Sequence, residues 1–245
     1  MAIQESFAPR RGDVILASAP KCGTTWLKAL AFATMARGAH PPADAEHPLL
    51  RLNPHECVPF MEMLFAAGLG SKMDAMPSPR LMATHMPHAL LPDSVTRNSD
   101  CKIIYVCRDP KDMVVSMWHY GRRIQPDASL SDVGPIWDHV LGYWNASRTS
   151  PETVLFLRYE EMLRDPVENV RKIAQFVGQP FSQDEEETGM IMDIVRICSF
   201  EKFANDGYFR KGEAGDWANH MTPEMARRLD AVVEEKLFGS GFSFV

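Results

Sequence analysis

The chain has 245 residues, of which 45% are hydrophobic and 24% charged. This length and balance suit one α/β domain over residues 1–245 with a sizeable buried core, although two smaller domains would also fit. The net charge is −6 and the pI about 5.8, which excludes the general basic excess of a nucleic-acid-binding protein. A phosphate site would therefore need basic residues that cluster locally.

The cysteines form an odd set with neither a CxxC pair nor a Cys/His metal spacing. We expect reduced thiols, without disulfides or structural zinc. The N-terminus lacks an apolar signal-peptide core, and no run of about 18 apolar residues occurs, so we expect neither secretion nor a membrane span. The sequence thus predicts a soluble, cytoplasmic protein.

The predicted elements alternate between strands and helices along most of the chain. Short apolar runs predict buried strands, and longer runs with helical apolar spacing predict helices. In chain order these are a strand over 13–19, a helix over 24–37, an irregular stretch over 39–59, a short helical stretch over 60–69, a turn at 77–79, strands over 80–84 and 101–107, helices over 111–122 and 130–147, a strand over 153–158 and a helix over 166–177. This alternation predicts an α/β fold with a central, mainly parallel sheet flanked by helices on both faces.

Three polar residues directly follow, or lie close behind, predicted strands. They are Lys21, His85 and Arg108. Because ligands of such sheets bind beyond the carboxyl ends of the strands, we expect the three side chains to face one site.

The segment between the first strand and the first long helix carries a lysine, a glycine and two threonines, in PKCGTTW. Free N–H groups at a helix start favour a phosphate there, although an ordinary turn with a chance lysine is the alternative. The segment is not a Walker A loop, because Lys21 precedes Gly23. A P-loop kinase would also need a strand-terminal aspartate for magnesium, whereas the strand over 101–107 is followed by Arg108.

Four motifs occur in one order along the chain: PKCGTTWL, YVCRDPKDMVVSMWHY, FLRYEEMLRDP and FRKGEAGDW. In this order they resemble the cytosolic sulfotransferases, most closely the plant soluble enzymes of the flavonol and steroid type. The resemblance implies a P-loop-like sulfotransferase fold. It also implies transfer of a sulfuryl group from 3′-phosphoadenosine 5′-phosphosulfate (PAPS) to a hydroxyl of a small organic acceptor, such as a flavonoid, a steroid or another phenol or alcohol, with release of adenosine 3′,5′-bisphosphate (PAP).

The resemblance assigns most of the nucleotide contacts. Lys21 would contact the sulfate and the bridging oxygen, and stabilise the charge that develops on the leaving group. The 5′-phosphate would be held by the backbone of Cys22 and Gly23 and by Thr24 and Thr25, with Trp26 stacked on adenine. The 3′-phosphate would be held by Arg108, Ser116, Arg210, Lys211 and Gly212. The adenine pocket would include Tyr159, Cys198 and Phe200; without the resemblance, a buried structural tyrosine is the alternative for Tyr159.

His85 matches the family histidine that takes the proton from the acceptor hydroxyl, a role that suits an imidazole. A lone histidine is more often structural, so the role depends on the resemblance. His88 receives no role beyond a possible pocket wall, because Pro87 prevents the helical HxxH geometry of a metal site. The resemblance implies a reaction without a metal.

The sequence departs from the family pattern mainly on the acceptor side. Ala83 stands where many relatives have a lysine, the segment before the first strand is short, as if from the middle of a longer protein, and the stretch from Cys198 to Arg210 is also short. Ala218 and Arg227 replace residues of the family's dimer motif, so no oligomeric state is predicted. Candidate acceptor-pocket residues are Phe60, Met61, Trp118, His119, Tyr120 and Trp144.

Three functions remain for comparison. The first is an active PAPS-dependent sulfotransferase whose partner is a small-molecule hydroxyl acceptor, without nucleic acid or membrane. The second is a shortened family member that binds the nucleotide, turns over weakly or not at all, and serves a regulatory role. The third is a nucleotide kinase, which the glycine number, the lysine position and the missing magnesium aspartate disfavour.

Overall fold

The computed structural model describes residues 2–97, 100–124, 136–203 and 211–244. Its strands form a four-stranded sheet in the order β2-β1-β3-β4, and every pair is parallel. The strands are Val14–Ser18 (β1), Leu81–Thr84 (β2), Lys102–Cys107 (β3) and Val154–Arg158 (β4). The expectation of a mainly parallel sheet is confirmed, and each predicted strand agrees with the observed one to within a residue at either end.

The helices surround this sheet. They are Ala2–Ser6 (α1), Thr24–Ala36 (α2), Pro54–Cys57 (α3), Met61–Ala66 (α4), Ser71–Asp74 (α5), Asp93–Thr96 (α6), Pro110–Ile124 (α7), Ile136–Thr149 (α8), Tyr159–Arg164 (α9), Pro166–Phe176 (α10), Gln183–Glu187 (α11), Met190–Ile197 (α12), Phe200–Phe203 (α13) and Pro223–Leu237 (α14). Short 3₁₀ turns cover Pro48–Leu50, His88–Leu90 and Asp216–Asn219. The predicted helices over 24–37, 111–122 and 166–177 correspond to α2, α7 and α10. The predicted helix over 130–147 overlaps α8, and its residues 130–135 lie outside the described residues.

Successive residues of β1 point to opposite faces of the sheet, and both faces are covered. Val14 and Leu16 pack with α2, α10 and α12 in one apolar cluster, whereas Ile15 and Ala17 belong to a second cluster with α1, α7 and α8. Helices therefore cover both faces, as the alternating pattern predicts. Within the described ranges, no helix has the length and hydropathy needed to cross a membrane.

A buried ion pair joins the amino ends of β1 and β2. Arg80 Nη2 lies 2.5 Å from Asp13 Oδ2, and both side chains are fully buried. Arg80 also donates to the carbonyl oxygen of Ala8 at 2.8 Å. The pair fixes the start of two neighbouring strands whose other ends carry the polar residues of interest.

Replacing Asp13 by Asn should destabilise the fold, because it removes the buried counter-ion of Arg80 and leaves it the more distant, exposed carboxylate of Asp74, 3.7 Å from Nη1. We expect a loss of about 3–5 kcal/mol in the free energy of unfolding, measured by urea denaturation. The matched control is Asp93→Asn, whose partner Arg97 lies 3.0 Å away with both side chains 79% exposed. This exposed pair should contribute about 0.5 kcal/mol or less, and equal losses in the two variants would contradict the assignment.

Candidate active site

A cavity of about 510 Å³ opens at the carboxyl edge of the sheet. Its walls include Lys21 after β1, His85 after β2 and Arg108 after β3, so the three predicted residues do converge. Because β1 pairs with β2 on one side and β3 on the other, the cavity lies where the chain connections diverge to the two sides of β1. The sheet topology therefore places the site.

The loop between β1 and α2 is shaped by two left-handed residues. Gly23 has φ 102° and caps α2, and a Cβ at this position would lie 2.6 Å from the ring of Tyr159. Lys21 has φ 66°, a conformation that is unfavourable for a residue with a side chain and that is found preferentially at functional sites. The loop thus brings backbone N–H groups of the α2 N-terminus to the cavity wall, which favours an anion.

The two threonines of the loop have different surroundings. Thr24 is buried, and its hydroxyl lies 2.5 Å from that of Ser18. Thr25 is half-buried, lines the cavity, and places its Oγ1 3.0 Å from Nε2 of His55. The hydroxyl of Thr25 therefore contacts another side chain of the cavity wall, that of His55.

His85 is held so that one ring nitrogen is an acceptor. Its Nδ1–H donates to the carbonyl oxygen of Ser18 at 2.8 Å, which leaves Nε2 unprotonated in the neutral ring. Burial lowers the pKa of His85, opposed by the Ser18 hydrogen bond and the charge of Glu62. The imidazole is therefore neutral near pH 7 and can accept a proton.

The peptide groups on both sides of the His85 α-carbon are also fixed. Its N–H donates to Oε1 of Glu62 at 2.7 Å, and its carbonyl oxygen accepts from Nε2–H of His139 at 3.1 Å. Nδ1 of His139 in turn accepts from the hydroxyl of Tyr105 at 3.0 Å. Burial lowers the pKa of His139 to about 4, so this support remains neutral and keeps one tautomer.

Arg108 is the buried cation of the site, with 8% of the residue exposed. Its Nη2 donates to the carbonyl oxygen of Glu213 at 2.9 Å, and its guanidinium lies 4.5 Å from the ring centroid of Tyr159. Its Nε is buried and has no hydrogen-bond partner in the described structure. An unsatisfied buried donor on a cation fits an anionic ligand, since leaving such a group unpaired is costly.

Residues 211–217 close one side of the cavity, and α7 anchors them. Both carboxylate oxygens of Asp112 accept main-chain N–H groups, from Gly215 at 2.6 Å and from Trp217 at 3.0 Å. Gly212 has φ 70°, and a Cβ on it would lie 2.4 Å from Cγ of Phe200. Glycine is therefore required where this segment crosses the ring.

Aromatic rings line the part of the cavity next to the α2 N-terminus. The ring centroids of Trp26 and Phe200 are 5.0 Å apart, and those of Trp26 and Tyr159 are 5.8 Å apart. This arrangement offers apolar ring surface beside the loop between β1 and α2, which suits a flat heterocycle such as adenine.

The cavity gathers most of the predicted site residues. Its walls include His85 and, from the predicted nucleotide set, Lys21, Gly23, Thr24, Thr25, Trp26, Arg108, Ser116, Tyr159, Phe200, Lys211 and Gly212. Cys22 and Cys198 are fully buried behind the described lining, and burial raises the pKa of Cys22 to about 12. Arg210 lies outside the described residues.

The structure brings two of the six acceptor-pocket candidates to the cavity. Phe60 and Tyr120 line the cavity, whereas Met61, Trp118, His119 and Trp144 are not in its described lining. The lining also includes seven residues that were not among the predicted site residues, namely Pro20, His55, Pro59, Met63, Leu64, Met117 and Glu213. Pro20, Met117 and Glu213 belong to the motifs described above, whereas the other four do not. The helical spacing of 60–69 could have indicated Leu64, which lies one helical turn after Phe60. The cavity as a whole combines a loop whose backbone N–H groups favour an anion, a buried arginine and a neutral histidine beside an apolar wall.

Comparison with known proteins agrees with this chemistry. The sequence model of the sulfotransferase domain matches residues 11–241. The chain is 40% identical to cytosolic sulfotransferase 5 of Arabidopsis thaliana, over 98% of this chain and 84% of that protein. It is 39% identical to the flavonol 3-sulfotransferase of Flaveria bidentis, over 98% of this chain and 86% of that enzyme. This chain therefore belongs to the sulfotransferase family.

A solved structure extends the likeness to the fold. The crystal structure of a mouse sulfotransferase complexed with PAP has a TM-score of 0.74 and 28% identity, and the match covers 97% of this chain and 88% of that one. The expected sulfotransferase fold is confirmed, and the protein is an enzyme of this class.

Gly23→Ala should destabilise the protein more than the same change at Gly178. Both glycines have positive φ, 102° and 76°, but an added Cβ meets the Tyr159 ring at Gly23 and nothing within 4 Å at Gly178. Gly178→Ala should cost about 1–2 kcal/mol for the left-handed backbone alone. Gly23→Ala should cost more, with the difference read from urea unfolding curves; equal costs would show that the ring contact is unimportant.

Proposed function

We propose that this protein, acting as one domain in the cytoplasm, transfers a sulfuryl group from PAPS to a hydroxyl of a small organic acceptor. The observation that carries the proposal is the pairing, in one cavity, of the unsatisfied Arg108 Nε with the acceptor nitrogen of a neutral His85. The cytoplasmic assignment is supported by relatives that are named cytosolic sulfotransferases.

The nucleotide side of the proposal uses the charged and glycine-containing wall. The α2 N-terminus, with Thr24 and Thr25, would hold the 5′-phosphate, while Arg108 and Ser116 would hold the 3′-phosphate. Lys211 and Gly212 line the same wall, and Arg210, outside the described residues, is proposed to join them. The rings of Trp26, Tyr159 and Phe200 supply the surface against which adenine would pack.

The acceptor side uses the apolar residues of the cavity lining. Phe60 and Tyr120 are aromatic, and Met63, Leu64 and Met117 add flexible aliphatic surface. The ring of Phe60 lies 4.6 Å from that of His85, which would place a flat acceptor beside the base. We therefore propose a phenol, flavonoid or steroid hydroxyl as the acceptor, and the flavonol 3-sulfotransferase relative supports the flavonoid choice.

The residues around the cavity can perform the proton and charge steps. When bound, PAPS would supply the sulfuryl group and the nucleotide leaving group. Nε2 of His85 would accept the proton of the acceptor hydroxyl, because Nδ1–H is committed to Ser18. Lys21 would stabilise the negative charge on the leaving oxygen. The ordered support of His85 by Glu62 and His139 favours this active reading over a regulatory protein that only binds the nucleotide.

His85→Ala should lower turnover about 10²–10⁴-fold, the usual contribution of a general base, with PAP affinity largely retained. Turnover is measured with PAPS and a panel of phenols, flavonols and sterols, and affinity by calorimetry. His88→Ala is the control, since His88 is half-buried and is not part of the described cavity lining. Undiminished turnover in His85→Ala would remove His85 from the reaction.

Arg108→Ala should weaken PAP binding about 10–100-fold, which corresponds to a lost hydrogen bond to a charged group. Adenosine 5′-phosphate lacks the 3′-phosphate, so its affinity should change much less. Arg158→Ala is the matched control, because Arg158 is the last residue of β4, close to the strand end as Arg108 is at β3, but is absent from the described lining. Equal losses for both ligands would contradict the 3′-phosphate assignment.

A further inference from the structure

A fully buried lysine lies directly behind the phosphate loop. Lys28 is one turn after Thr25 in α2 and has no exposed surface. Its ammonium nitrogen lies 3.2 Å from the ring centroid of Phe60 and 2.9 Å from Nδ1 of His55. Among the described residues, no carboxylate lies within ion-pair distance of it, which is rare for a buried lysine. Its principal polar contact is therefore an imidazole.

The His55 ring connects Lys28 to the cavity. Its Nδ1 faces Lys28, and its Nε2 lies 3.0 Å from Oγ1 of Thr25. The ring stacks on Phe60 at 5.4 Å, and the main chain of His55 is fixed because its N–H donates to Oδ1 of Asn53 at 2.9 Å. Lys28, His55 and Thr25 thus form a continuous hydrogen-bonded chain that ends at the cavity wall.

The charge on Lys28 sets the direction of every hydrogen bond in this chain. An ammonium can only donate, so Nδ1 of His55 must accept and the ring proton must reside on Nε2. Nε2–H then donates to Oγ1 of Thr25, which leaves the Thr25 hydroxyl proton free to be donated into the cavity. A hydroxyl that donates outward is what a phosphate oxygen requires, since a phosphate dianion only accepts.

We propose that Lys28 is a positioning residue that fixes the His55 tautomer and thereby directs the Thr25 hydroxyl proton toward the 5′-phosphate of the nucleotide. This inference rests on the proposed function, which brings that phosphate to the α2 N-terminus. Lys28 itself does not touch the ligand, because it is absent from the described lining of the cavity.

The surroundings of Lys28 make the hydrogen-bonded chain of Lys28, His55 and Thr25 sensitive to pH. Burial lowers its pKa to about 7, against the opposing charge of Glu62 on α4. His55 on α3 faces it and stays neutral, because burial and then the Lys28 charge lower its pKa to about 3. The other charged or titratable groups near this cluster are His85 and Lys21. A neutral amine can donate or accept, so above the Lys28 pKa the His55 tautomer is no longer fixed.

The test compares PAP with adenosine 3′-phosphate, which lacks only the 5′-phosphate. Calorimetry is run on the wild type, Lys28→Met, Thr25→Val and the double variant. We expect Lys28→Met to weaken PAP binding about tenfold, through a hydrogen bond to a charged ligand, and to change adenosine 3′-phosphate binding less than twofold. The double variant should bind PAP no more weakly than Thr25→Val alone, because both changes interrupt one chain.

A pH series on the wild type gives a readout that does not depend on how Lys28→Met folds. The ratio of PAP affinity to adenosine 3′-phosphate affinity should fall as the pH rises from 6.5 to 8.5, because the ammonium is lost in that window. The second ionisation of the phosphate, with a pKa of about 6, acts in the opposite direction. Thr25→Val should abolish this fall in the ratio.

Three results would overturn the proposal: equal losses of both ligands in Lys28→Met, additive losses in the double variant, or a wild-type ratio that does not fall with pH. If the proposed function itself is wrong, the same experiments give a different set of results. In that case the wild type would show neither tighter binding of PAP than of adenosine 3′-phosphate nor turnover of PAPS.

Discussion

Parallel pairing of β1 with both of its neighbours is the constraint on which the site depends. Val14 is in register with Leu81 on one side and with Lys102 on the other, so three segments far apart in sequence end at one edge of the sheet. A shift by one residue would move the apolar side chains of a strand to the wrong face, and both faces are buried here. The packing that sets the register therefore also sets the distances between Lys21, His85 and Arg108.

Burial, rather than the presence of particular ionisable groups, gives the site its protonation states. It lowers the pKa of His85, of its support His139 and of His55, and in each case removal from water is the largest cause. The three rings are consequently neutral, with one donor and one acceptor nitrogen each. The cavity can therefore combine the fixed positive charge of Arg108 with one neutral imidazole, that of His85, whose Nε2 can accept a proton.

The sequence predicts the framework better than the walls of the cavity. The strands and the long helices have apolar periodicity, so the sheet could be predicted. The residues after β1, β2 and β3 could also be predicted, because glycine, lysine and arginine next to a strand end are residue types that bind anions. His55 contributes through long-range folding, because no local pattern separates it from ordinary residues of the irregular stretch over 39–59. The short helices α11 to α13 and the long α14 received no prediction, and tertiary packing of α12 on α2 and α10 is what places its apolar face. The CSF motif alone does not determine whether the Cys198 side chain faces the cavity or packs into the core. In the structure it is fully buried and absent from the described lining.

The single carboxylate of Asp112 links two parts of the cavity that would otherwise be independent. It accepts the main-chain N–H groups of Gly215 and Trp217 in the segment 211–217 and lies 3.8 Å from the Arg108 guanidinium, while Arg108 itself donates to the carbonyl oxygen of Glu213 in the same segment. Any ligand that draws Arg108 toward itself therefore acts on the same network that orders this segment. The C-terminal part of the chain and the sheet should consequently respond to nucleotide as one cooperative unit, with protection from proteolysis at 211–217 rising together with occupancy of the arginine.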